Sequence, residues 1–158
     1  MVRIGVTGHM NLTDTARLVS DALRSHLEAV ADDVTGVSCI ARGADSLFAE
    51  AVLQSDGALE VVLPSRDYRE AKVKPDHAEQ FDRLISKAAR VRVMDFDHAN
   101  RDAYVAANEA MLGSVDELVA VWDGESPVDA GGTAGAVAEA RRRGVRVVVI
   151  WPEGAARE

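Results

Sequence analysis

Short runs of β-branched residues alternate with longer segments of helical periodicity from one end of the chain to the other, and this alternation constrains the fold more than any other feature. Strands joined through helices run parallel, since each crossover returns the chain to the same end of the sheet. The pattern predicts strands over 2–6, 37–40, 59–63, 91–94, 118–122 and 145–150. It predicts helices over 12–30, 78–88, 99–112 and 133–143, and another carrying Leu47, Phe48, Ala51 and Val52 that Gly57 ends. In the first helix Leu18, Ala22, Leu23, Leu27 and Val30 recur at helical spacing, with Asn11 or Thr13 placed to cap its start. Gly144 closes the last helix. The expectation is one α/β domain over 1–152, a doubly wound Rossmann-like fold with a mostly parallel sheet, followed by a frayed tail at 153–158.

A length of 158 residues suits one domain with a substantial core, and a hydrophobic fraction of 47% rules out a disordered chain. The one cysteine excludes an intrachain disulfide, and its apolar neighbours make Cys39 read as a buried core thiol. Neither a leader pattern nor an apolar span is visible, so the chain reads as cytoplasmic, with no membrane partner. Nucleic acid is not an expected partner either: the formal charge is −8 and phosphate backbones need concentrated Lys and Arg. The basic run Arg141-Arg142-Arg143 ends a predicted helix, where it complements the helix dipole. His9, His26, His77 and His98 are scattered without ligand spacing, so no metal is expected.

Ligands of open parallel sheets bind beyond the carboxyl ends of the strands, where the strand order reverses. The polar and glycine-rich segments fall at those ends. Gly131-Gly132-Thr133 lets a phosphate or carboxylate approach a helix N-terminus; alternatively it makes a tight turn with Thr133 as the cap. Arg42-Gly43-Ala44-Asp45 opens a helix, with Asp45 either a cap or a wall of the site. Thr7-Gly8-His9 follows the first strand, where His9 is either solvated or functional. Trp122 and Asp123 follow the fifth strand, and Trp122 either stacks on a base or packs in the core. The charged stretch 65–75 reads as a loop or an irregular helical turn, either a mobile lid offering Arg66, Arg69 and Lys72 to an anion or a solvated surface. No complete GxGxxG or GxxxxGK[ST] motif is present, so no NAD or ATP cofactor is implied.

Taken together, Ile4-Gly5-Val6-Thr7-Gly8-His9, the Arg42 to Ala49 segment, Ala107-Asn108-Glu109-Ala110-Met111, the strand leading to Trp122-Asp123-Gly124, and Gly131-Gly132-Thr133 resemble the SLOG superfamily. This Rossmann-like group includes the DNA-processing protein A core and the LONELY GUY enzymes. The resemblance implies a nucleotide pocket with Gly131, Gly132 and Thr133 around phosphate, Arg42, Gly43 and Asp45 on the opposite wall, and Asn108 facing inward. It also implies what is missing. The phosphoribohydrolases of the group carry a PGGxGTxxE pattern and an upstream Arg, and this chain has Ala136 and Ala107 at those positions.

The expected function is therefore binding of a small nucleotide or nucleotide-derived phosphate ligand, as a sensor or carrier. Hydrolysis of an N-glycosidic bond is the alternative and would need Glu139 or Glu109 to replace the lost carboxylate. A homo-oligomeric scaffold with a vestigial pocket, paired through helices, is the third reading.

Overall fold

The computed structural model describes residues 1–30, 32–125 and 132–156. Six strands form one sheet: β1 (Val2–Gly8), β2 (Val34–Ser38), β3 (Ala58–Leu63), β4 (Arg90–Val93), β5 (Glu117–Val121) and β6 (Arg146–Ile150). Every pairing is parallel, in the order β4-β3-β2-β1-β5-β6. The sheet is thus wholly parallel, where the sequence predicts a mostly parallel one.

The connecting helices are α1 (Ala16–Glu28), α2 (Ala44–Gln54), α3 (Tyr68–Lys72), α4 (Pro75–Lys87), α5 (Arg101–Leu112) and α6 (Thr133–Arg142). The chain lays β1 to β4 down in one direction, and α5 then carries it back across the sheet to place β5 beside β1. The strand order reverses there. Residues of α1, α2 and α4 cover one face of the sheet: Leu23, Phe48 and Val52 meet Ile4 and Val119, and Phe81 and Leu84 meet Leu59 and Val61. On the other face, Met111 of α5 and Ala140 of α6 meet Val37, Val62 and Leu118. Phe48 is wholly buried, a burial that contributes about 1.5–3 kcal/mol.

The apolar stripe of α1 runs through Val19, Leu23 and Leu27, whereas Leu18 is 41% exposed. Leu23 and Leu27 are buried as the helical spacing predicts, with Ala22 and Val30 packed against the same core, and Val19 takes the place expected of Leu18. The N-cap position of α1 is Thr15, not Asn11 or Thr13, and the Thr15 side chain does not cap the helix. The Thr15 hydroxyl donates to the Ala156 carbonyl at 2.9 Å and accepts the Ala156 amide at 3.0 Å. Those bonds fasten the tail as far as residue 156, where the sequence suggests fraying from 153.

The second strand begins three residues earlier than its apolar run suggests, because β1 pairs with it from Val2↔Val34 to Gly5↔Val37. The chain leaves the sheet through Ile40, whose φ of 47° is rare for a β-branched residue. Ser38 Oγ accepts the Ile40 amide at 3.0 Å and supports that turn. At the end of α2 the left-handed position is taken by Asp56, with φ 60°, while the Gly57 amide reaches back to the Val52 carbonyl at 2.9 Å.

Residues 65–75 follow the helical one of the two expected alternatives, a short helix between turns. They contain α3 and lead into α4 at Pro75, the first-turn position that tolerates proline. Arg66 pairs with Asp95 and Asp97, and Arg69 holds Asp82 through two bonds of 2.7 Å. These half-exposed guanidinium groups serve the protein's own carboxylates, which favours the solvated-surface alternative over anion contacts. Among the described residues no helix is long and apolar enough to cross a membrane.

Candidate functional site

At the reversal between β1 and β5 the strand ends open into a cavity of about 530 Å³. Loops following β1, β2, β3 and β5 contribute to its wall, together with residues of α2, α3, α5 and α6. Of the residues singled out in the sequence, it brings together Thr7, Gly8, His9, Asp45, Asn108, Trp122, Gly132 and Thr133.

The β1 end is held by neighbouring backbone. The His9 amide donates to the Val121 carbonyl at 3.2 Å, and the Ala44 amide donates to the His9 carbonyl at 3.1 Å. This brings the start of α2 against β1 so closely that a Cβ on Gly8 would lie 2.4 Å from the Ala44 Cβ. Gly43, at φ 83°, presses on the His9 carbonyl in the same way. Its role is this close approach. Neither Gly43 nor Arg42 lines the cavity: Arg42 is exposed and bonds Asp76 of α4 at 2.6 Å. The expected opposite wall therefore reduces to Asp45.

His9 is oriented from two sides. Its Nε2 accepts the Asp123 amide at 3.3 Å and lies 3.4 Å from Asp123 Oδ1, while its ring meets Trp151 edge-on at 5.6 Å. Asp123 holds His9 from behind and is not itself part of the cavity wall. The Trp122 indole N–H donates to the Glu125 carbonyl at 2.8 Å.

The N-cap of α6 is Gly132, in extended conformation, so Thr133 is the first helical residue and not the cap. Among the described residues no side chain caps this end, and its first turn carries no acidic residue. A helix start of this kind presents amide donors and the positive end of the helix dipole. Gly131 lies outside the described residues.

Cys39, Tyr68 and Tyr104 are among the wall residues that sequence reasoning did not assign to the site. Cys39 packs against the core, as expected, and also lines the cavity; burial first, then the Asp45 charge, pushes its thiol up, away from a reactive thiolate. Tyr68 of α3 and Tyr104 of α5 meet in a T-shaped contact at 6.4 Å. Tyr104 and Asn108 are one helical turn apart on α5, a spacing that could have flagged the tyrosine. Nothing local flags Tyr68, which arrives from beyond β3.

Asp45 is half-buried. Desolvation pushes its carboxyl up to about 7, against a hydrogen bond from the Ala41 backbone. The carboxylates proposed for hydrolysis are elsewhere. Glu139 bonds Arg142 and Arg143, which pull it down to about 2, and Glu109 is exposed on α5; neither lines the cavity. Ala107 and Ala136, which the phosphoribohydrolase resemblance sets against an Arg and a Glu, do line it. Among the described residues no group of three His, Cys, Asp or Glu is placed to hold a metal.

No protein-family model and no curated protein matches the sequence. The fold does match solved structures. DNA processing protein A from Streptococcus pneumoniae superposes with a TM-score of 0.70 at 17% identity, over 98% of this chain and 52% of that one. The chain thus spans about half the length of that protein. DNA processing protein A from Helicobacter pylori, whose structure describes a single-stranded DNA binding mode, gives 0.69 at 12% identity, over 99% of this chain and 68% of that one. The Moco carrier protein of Chlamydomonas rheinhardtii gives 0.55 at 17% identity, over 94% and 74% of the two chains. At these identities the likeness is one of fold: a Rossmann-like α/β fold shared with DNA processing protein A and the Moco carrier protein.

Proposed function

We propose that the cavity binds a small nucleotide or nucleotide-derived ligand, with its phosphate on the N-terminal amides of α6 near Gly132 and Thr133, and that the chain acts as a sensor or carrier. The observation that carries this reading is a helix start, capped by no side chain among the described residues, that opens into a cavity at the reversal of strand order. A volume of about 530 Å³ falls within the range of small-molecule sites. Extended nucleic acid fits less well, since the chain carries a charge of −8 and, among the described residues, no Lys or Arg lines the cavity.

N-glycosidic hydrolysis is the weaker reading because Ala107 and Ala136 are apolar and neither Glu139 nor Glu109 reaches the cavity. Equilibrium dialysis against nucleoside phosphates, with an assay for released base or ribose 5-phosphate, separates the two. Binding without release is expected, and Gly132→Val should weaken that binding by blocking phosphate approach. Release of base by the wild type would overturn the binding-only reading.

A further inference from the structure

We propose that the Asp45 end of the cavity reads the base, and selects a heterocycle that presents an exocyclic amine beside a ring N–H, the donor edge of guanine. This rests on the nucleotide-binding reading above and adds to it the class of base. The cavity is polarised. Gly132 and Thr133 bring an uncapped helix start from one face of the sheet, whereas Asp45 arrives on α2 from the other face. Asp45 forms no ion pair among the described residues, and the segment 126–131 has no Lys or Arg in its sequence.

The groups around Asp45 favour a flat, uncharged ring. Cys39, Tyr68 and Tyr104 line the same cavity, and the charge of Asp45 is felt by both Cys39 and Tyr68. Tyr68 is 7% exposed and sits edge-on to Tyr104, which is 39% exposed. A carboxylate pairs with two parallel N–H donors through both oxygens, a geometry that an amine next to a ring N–H supplies. A base edge of carbonyl acceptors leaves the same carboxylate unpaired in a desolvated corner, and sites built around a polar group reject such analogues strongly. The phosphate at the α6 end and the donor edge at the Asp45 end then set one orientation of the ligand.

Isothermal titration of the intact chain with the monophosphates of guanosine, inosine and uridine tests this, in the wild type and in Asp45→Asn. Inosine keeps the ring N–H and lacks the amine. The wild type should bind guanosine monophosphate about tenfold or more tighter than the other two. Asp45→Asn should lose that preference while its affinity for uridine monophosphate changes little. Equal binding of all three by the wild type, or a guanosine preference that survives in Asp45→Asn, overturns the base assignment and leaves the nucleotide site standing. If none of the three binds the wild type, both the assignment and the nucleotide reading fall.

Discussion

The Ala44 amide donates to the His9 carbonyl at 3.1 Å, clipping the end of β1 to the first turn of α2. Because β1 is a central strand and α2 carries Asp45, this bond sets the distance between two walls of the cavity. It forms only because Gly8 offers no Cβ. A methyl there would meet the Ala44 Cβ at 2.4 Å and the Val121 Cβ at 2.8 Å, both on well-anchored backbone. Gly8→Ala should therefore destabilise the fold by about 2 kcal/mol or more, measured by urea unfolding. A change below about 0.5 kcal/mol would show that β1 and α2 are not held this closely.

Asp45 makes stability depend on pH in the direction opposite to a salt-bridged carboxylate. Its folded-state value near 7 lies above the ordinary 3.8, so the folded chain keeps a proton that the unfolded chain releases between those values. Stability at this site falls as pH rises from about 4 to about 7 and then levels. Asp45→Asn removes the titration. Its melting temperature relative to wild type should rise across that window and stay constant above it; a difference independent of pH would contradict the assignment. Tyr68 and Cys39, the other titratable groups facing Asp45, are both pushed up and stay neutral across it.

Thr15 ties the chain's two ends together through its paired bonds with Ala156. Thr15→Val keeps the shape and removes both, so a loss of about 1 kcal/mol is expected. Limited proteolysis should then cut after Arg143 no faster, but cut the tail sooner. Unchanged tail cleavage would show that other contacts hold it.

How much of this was legible depended on whether a residue's role is local. Thr7, Gly132 and Thr133 sit at a strand end or a helix start, so their convergence follows once the strands are known to be parallel. Arg42 was misread because its partner, Asp76, is 34 residues away on a helix whose start the sequence placed too late. Glu139 was misjudged for a related reason: two arginines one turn on compete for it, and its helix face points it away from the cavity. Tyr68 entered the wall through a short helix inside a segment that reads as charged loop. Cys39 reads as core from its neighbours and does pack there, but its place just past the end of β2 also gives it a share of the cavity wall.

The central claim is that the uncapped start of α6 receives the ligand's anion. Backbone amide shifts followed by NMR during titration with guanosine monophosphate test it most directly. The account predicts the largest changes at Gly132, Thr133 and Ala134, with a second group at Thr7, Gly8 and Asp45. Saturable binding that leaves the α6 amides unmoved and shifts residues at the opposite ends of the strands would contradict it.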